Sequence, residues 1–327
     1  MNKKAIGIAA LGLCIAGLAA PTATADPVGT PTFRPLAGMG SDTTENVMQA
    51  LSDVVVVGGQ KVIGSYNTQP AGQVVNTKDE AQFAGRCNTA GGSGGVARAN
   101  GSSAGRDALL AAMTPGSATE GCLDFARSSS GAVAAGQTFV VMAQDGQTYA
   151  YPTNGDIGPA AAIGDLQLIY KCDASVAGAF EPLIPQAGSG TRSSWATLMG
   201  ISNTTLPSCV KDTIGGLPLQ EHDGSKFTKS NQLVPFSVAQ WVAQSMGTVP
   251  DSRGGDQIGN INGISSLQLN PGQFSVRNVG NIIPTTKFAD STSLEHKVFV
   301  NNGTGKSQVC VNGKSVIEQF GFLPVGC

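Results

Sequence analysis

Residues 183–195 read Leu-Ile-Pro-Gln-Ala-Gly-Ser-Gly-Thr-Arg-Ser-Ser-Trp. An apolar approach meets Gly188-Ser189-Gly190-Thr191 and then Arg192, at the point where a strand pattern gives way to a helix pattern. Two readings compete. In one, a hydroxyl caps an ordinary helix, since Ser, Thr, Asp and Gly are the preferred capping residues. In the other, the glycines let successive N–H groups curl into a concave nest, and the helix start adds unpaired donors and partial positive charge for an anion. Taken alone, the stretch favours the capped helix. The rest of the chain shifts the balance.

Three more stretches share the same chemistry. They are Gly40-Ser41-Asp42-Thr43, Gly101-Ser102-Ser103-Ala104-Gly105 and Arg127-Ser128-Ser129. Glycine permits close backbone approach, hydroxyls donate hydrogen bonds, and Arg127 and Arg192 stand beside two of the stretches. Four such stretches in one chain point to a small tetrahedral oxyanion. The ligand set read this way is Ser41, Asp42, Thr43, Ser102, Ser103, Arg127, Ser128, Ser129, Gly188, Ser189, Gly190, Thr191 and Arg192.

The N-terminus places the site outside the cytoplasm. Lys3 and Lys4 precede an apolar run ending in Ala23-Thr24-Ala25, the layout of a secretory signal peptide over residues 1–25 with cleavage before Asp26. Cys14 lies too early for a lipid anchor, and Leu13 is too large for such a site, so a freely exported, extracytoplasmic chain is expected. Removing the signal from 327 residues leaves 302 and takes two lysines, moving the formal charge from −2 to −4. A mildly acidic chain without lysine clusters excludes nucleic acid and anionic membrane as natural partners. A chain of this length exceeds the usual single core of about 250 residues, so two lobes are expected. Six cysteines remain, an even count that in an oxidising compartment reads as disulfides. Nearest-neighbour pairing gives Cys87–Cys122, Cys172–Cys209 and Cys310–Cys327. No C-x-x-C spacing suggests zinc, and the expectation is no metal and no cofactor.

Strand and helix patterns alternate, with glycine turns between them. Strands are predicted at 33–37, 62–66, 122–126, 138–143 and 181–185, and a glycine-rich loop at 91–95. Helices are predicted at 43–51 (with 53–57 continuing it), 103–113, 163–170, from 234, and at 313–320. A hairpin is predicted over 298–311, with Asn302-Gly303-Thr304 as its turn. Such alternation implies α/β units with mainly parallel sheets and ligands held at helix N-termini beyond the strand ends. Crossovers between the lobes are placed at 131–136 and 260–271, giving lobe 1 as 26–135 plus 270–327 and lobe 2 as 136–269.

Other residues read more plainly. His222 and His296 lie in polar stretches and are expected at the surface, and no G-x-S-x-G elbow provides a serine nucleophile. Trp195 and Trp241 are expected in the core. Asp251, Asp256, Asn260 and Asn262 miss the twelve-residue spacing of a calcium loop.

The four stretches together resemble the periplasmic phosphate-binding proteins of ABC importers, with the type II periplasmic-binding fold. Gly188-Ser189-Gly190-Thr191 matches that family's G-S-G-T loop, and Gly101 to Gly105 is similar to its G-S-S-G-G helix start. Gly40 to Thr43 takes the place of its N-terminal loop, and Asp124-Phe125-Ala126-Arg127-Ser128 resembles its D-F-G-A-S-D segment. The resemblance implies a two-lobed α/β protein, a monomer without catalytic activity. It would capture inorganic phosphate or a related oxyanion and deliver it to an ABC permease. It also implies lobes that close about a hinge in two crossover strands. The family's acid falls at a serine here, and its arginine, four residues before the G-S-G-T serine, is Pro185. Asp42 is then expected as the proton acceptor, with Arg127 or Arg192 as the cation. An acceptor-only carboxylate would favour protonated phosphate over sulfate. The alternatives are an exported phosphoester hydrolase, which lacks an evident base or metal set here, and a binder of sulfate or a larger ligand.

Overall fold

The computed structural model describes residues 26–79, 83, 85–91, 94–267, 275–301 and 305–327. The signal peptide, the Asn302-Gly303-Thr304 turn and parts of the 91–95 and 260–271 segments lie outside them. Among the described residues, the centre is a nine-stranded sheet. In chain order its strands are β1 (Leu36–Gly40), β2 (Ile63–Ser65), β3 (Phe125–Ser128), β4 (Gln137–Tyr151), β5 (Glu181–Pro182), β6 (Gln232–Ser237), β7 (Gln257–Ile258), β8 (Val276–Pro284) and β9 (Leu323–Pro324). The spatial order is β5-β6-β4-β8-β3-β1-β2, with β7 and β9 also paired to β4.

Parallel pairing holds at the two flanks, β1 with β2 and β3, and β5 with β6. The middle is antiparallel: β8 pairs with β3 and β4, and β4 with β6, β7 and β9. This corrects the expectation of mainly parallel sheets. The two long strands β4 and β8 run in opposite directions, and each described strand paired with either of them is antiparallel to it.

At about 3.3 Å per residue, the 15 residues of β4 span ~50 Å. That reach connects two cores. Val140, Met142 and Ala143 pack with Leu51, Phe125 and Phe299, whereas Tyr149 and Tyr151 pack with Leu166, Trp195 and Leu233. Strand β8 alternates in the same way, with Val279 and Ile283 in one cluster and Ile282 in the one beside it with Met39 and Leu109. The two-residue period of a strand puts alternate side chains on opposite faces, so each buried face finds its own partners.

Helices cover these faces: α1 (Glu45–Val54), α2 (Ser102–Met113), α3 (Ile163–Tyr170), α4 (Gly190–Met199), α5 (Val238–Ser245), α6 (Thr285–Ala289), α7 (Leu294–Phe299) and α8 (Gln308–Gln319). The span 298–311, expected as a hairpin, instead carries the end of α7 and the start of α8. Ser307 caps α8 by accepting from the Cys310 N–H. The helix expected from 234 starts at Val238, because Ser237 ends β6 and caps α5 by accepting from the Gln240 N–H. Trp195 is fully buried as expected. Trp241 is only half-buried and carries the Arg253 guanidinium 5.1 Å over its ring.

Cys87–Cys122, Cys172–Cys209 and Cys310–Cys327 are all bonded. Each closes a local loop, with sequence separations of 35, 37 and 17. No helix among the described residues is long and apolar enough to cross a membrane.

Candidate functional site

Hydroxyls from four chain segments meet where the two flanks of the sheet face each other. Strand β1 ends at Gly40 and delivers Ser41 and Thr43, both fully buried, ahead of α1. Strand β3 delivers Ser129, and the first residue of α2 delivers Ser102. From the other flank, the start of α4 delivers Thr191. Ser41 Oγ donates to Ser129 Oγ at 3.0 Å, and Ser102 Oγ lies 3.3 Å from Ser129 Oγ. Thr43 Oγ1 bridges the flanks, 3.3 Å from Ser129 Oγ and 3.2 Å from Thr191 Oγ1.

Gly190 makes this approach possible. A Cβ there would lie 2.3 Å from both Ser102 Oγ and Ser129 Oγ. The glycine therefore sets how near the start of α4 comes to the loops of the other flank. Ser189 is a cap as well as a neighbour of the site: its Oγ accepts from the Arg192 N–H at 2.9 Å. The capping reading of the 183–195 stretch is thus realised, and the same turn borders the hydroxyl cluster.

Several of the expected residues face elsewhere. The Ser128 hydroxyl accepts from the N–H groups of Ser130 and Gly131, stabilising its own turn. The Ser103 N–H, one of the donors expected for an anion, is taken by the Gly188 carbonyl. Arg127 is fully buried behind the β1 loop, where it donates to Ser41 O, Ser65 Oγ, Tyr66 O and Glu45 Oε2. It is a positioning residue for the Ser41–Thr43 turn and not the expected cation of the site. Arg192 donates to Pro185 O, Asn203 O and Asp212 Oδ2 on the far side of α4. In both cases uncapped carbonyls and a carboxylate near the guanidinium outcompete the site.

The guanidinium that reaches the hydroxyl cluster is that of Arg277, on β8, which sequence reasoning missed. Its Nη2 lies 3.4 Å from Thr43 Oγ1, and its Nη1 donates to Ser194 Oγ at 3.1 Å. Asp145 on β4 holds the guanidinium at 2.9 and 3.1 Å. Asp145 also accepts from Ser237 Oγ and the Ala239 N–H, which ties the pair to the start of α5. No local motif marks Arg277. Its role depends on strand pairing across 132 positions.

Two further residues enter from the 219–224 segment. His222, expected at the surface, is buried, packed edge-on against Phe236. Its backbone is left-handed, φ 59°, a conformation uncommon for residues with a side chain and most frequent at constrained sites. Glu221 Oε2 accepts from Thr43 Oγ1 at 2.8 Å and from Thr191 Oγ1 at 3.0 Å, and lies 3.2 Å from His222 Nε2. Burial alone would raise the Glu221 carboxyl, but His222, the Ser189 hydroxyl and Arg277 outweigh it and hold the group well below the ordinary carboxylate range. It is therefore an anion at neutral pH. Asp42 goes the opposite way. Burial, then Glu45 and Glu221, push its carboxyl well up, with Arg127 and Thr68 offsetting only part.

Asp42, Glu221 and His222 offer ligand atoms within 4.8 Å of one another. The histidine argues against a metal there. Its Nδ1 accepts from the Ser237 N–H at 3.4 Å, which leaves the ring proton on Nε2 facing the hydroxyls. A metal-bound imidazole needs the reverse, a free lone pair towards the metal and an N–H behind it. His222 is arranged as a donor.

No family model matches the sequence, and no curated protein matches it. Solved structures are similar in fold. One is a Clostridium perfringens protein described as a phosphate ABC transporter substrate-binding protein with bound phosphate. It is 15% identical, with 89% of this chain and 99% of that chain covered and a TM-score of 0.53. An ABC-type phosphate transport receptor of Vibrio cholerae is 15% identical over 88% of this chain and 99% of that one, with a TM-score of 0.48. A phosphate-binding protein of Stenotrophomonas maltophilia is 11% identical over 88% and 90%, also at 0.48. The chain has the mixed α/β, two-lobed fold of the Clostridium perfringens protein.

Proposed function

We propose that this is an exported binding protein that captures inorganic phosphate between its lobes for an ABC permease, without catalysing a reaction. The observation that carries the reading is the convergence of the Ser41, Thr43, Ser102, Ser129 and Thr191 hydroxyls from both flanks, beside one guanidinium. A dehydrated oxyanion needs donors in place of its lost water, and these hydroxyls offer them from both flanks. Bound phosphate in the Clostridium perfringens protein makes phosphate the first oxyanion to try. Residues 26–135 with 270–327 would supply most of one lobe and 136–269 most of the other, with β4 reaching into both cores. The signal-like N-terminus supports export.

A hydrolase needs an activated nucleophile beside a base. His222 Nε2 carries the ring proton and faces Thr43, so the imidazole is arranged as a donor and not as a base for that hydroxyl. Titration calorimetry of the mature chain with phosphate and with sulfate tests the reading. Heat with phosphate supports it, and no heat with either anion rejects it.

A further inference from the structure

Within the oxyanion reading above, on which this inference rests, one group is out of place. The Glu221 carboxylate lies among the hydroxyls that would hold the ligand. Its Oε2 takes the Thr43 and Thr191 protons, one from each flank of the sheet. Its side chain is fully buried, and its Oε1 has no hydrogen-bond partner. Two hydroxyls donating to one carboxylate oxygen reproduce what an oxyanion oxygen would receive.

We propose that Glu221 is a built-in competitor for the oxyanion, an internal anion that pins the two flanks together and must swing aside before phosphate can take the Thr43 and Thr191 hydroxyls. The segment bearing it is secured at its neighbours. Gln220 Oε1 accepts from Gln69 and Asn100, and His222 O accepts from Gln244 and Ser252. Release therefore needs only rotation of the Glu221 side chain, with the backbone held. A competitor that occupies the site about nine-tenths of the time weakens apparent affinity about tenfold, since only the competent fraction binds.

The contact makes two measurable statements. Phosphate titrations of the wild type, Glu221→Gln and Glu221→Ala should show binding about tenfold tighter in both variants than in the wild type. Small-angle scattering of the wild type should give the same radius of gyration with and without phosphate, because Glu221 already closes the cleft. A wild type that binds phosphate, with variants that bind equally or more weakly, overturns the proposal and leaves the oxyanion reading standing. So does a wild type that is expanded alone and contracts with phosphate, a result that needs no variant to fold. A wild type that binds neither phosphate nor sulfate removes both.

Discussion

Arg277 and Asp145 stand directly opposite each other in the register of β8 and β4, and their side chains meet at 2.9 Å. Asp145 is fully buried, and the Arg277 side chain nearly so. The pair joins β4 to β8 at the edge of the hydroxyl cluster and turns one guanidinium edge toward Thr43. A hydrogen bond to a charged group contributes about 1.5–3 kcal/mol. Arg277→Met is therefore expected to weaken phosphate binding by at least tenfold in calorimetric titration. Asp145→Asn is expected to lower the unfolding free energy by roughly 3–5 kcal/mol, because it leaves a buried charge without its partner. An unchanged denaturation midpoint for Asp145→Asn would show that the pair is not structurally important.

Gly190→Ala tests the spacing at the centre of the site. The added Cβ would meet Ser102 Oγ and Ser129 Oγ at 2.3 Å. Either serine can rotate away only by giving up its place in the hydroxyl cluster. Overpacking of this kind costs about 1–3 kcal/mol. Phosphate affinity should fall more than tenfold, with a modest loss in melting temperature. Retention of full affinity would mean that Ser102 and Ser129 do not need their observed positions.

Asp256 gives a pH dependence away from the site. Burial, with Asp223 nearby, pushes its carboxyl up to about 7, and its Oδ2 has no hydrogen-bond partner. A raised folded value means that the folded chain holds this proton more tightly than the unfolded one. The contribution is most favourable below about pH 4 and is lost as pH rises towards 7. After discounting for partial solvent exposure, the loss is about 1 kcal/mol. Asp256→Asn should raise the melting temperature by roughly 2–4 °C at pH 8 and leave it unchanged at pH 4. An equal effect at both pH values would exclude ionisation as the cause.

The Cys87–Cys122 disulfide closes a loop of sequence separation 35 and ties the chain after β2 to the entry of β3. Loop-closure entropy for that length corresponds to about 4 kcal/mol. Replacing both cysteines with serine should lower the melting temperature by several degrees. Phosphate affinity should be preserved at temperatures where the variant remains folded, because neither cysteine touches the hydroxyl cluster. Scanning calorimetry paired with titration separates the two effects.

The parts of the site that depend on neighbouring residues were legible in the sequence. Gly190-Thr191, Ser41 and Thr43, Ser102 and Ser129 announce themselves by glycine and hydroxyl at strand-to-helix junctions, and the structure brings them together. The charges were not legible. Arg127 and Arg192 stand next to the loops, but a long side chain beside a helix start can reach either face. Here the carbonyls of Tyr66 and Pro185 lie on the face away from the hydroxyls. Arg277 and Glu221 reach the site only through tertiary pairing, which no local spacing encodes. The antiparallel centre of the sheet was hidden for the same reason. The helix over 163–170 could be read from periodicity alone, but the direction in which β8 lies against β4 could not.

The anchoring of Arg277 by Asp145 has a kinetic consequence. The guanidinium is held in place while the Glu221 side chain turns aside. An anion entering from solution would meet fixed charge first and find its full set of donors afterwards. Added salt should then slow its arrival more than it hastens its departure.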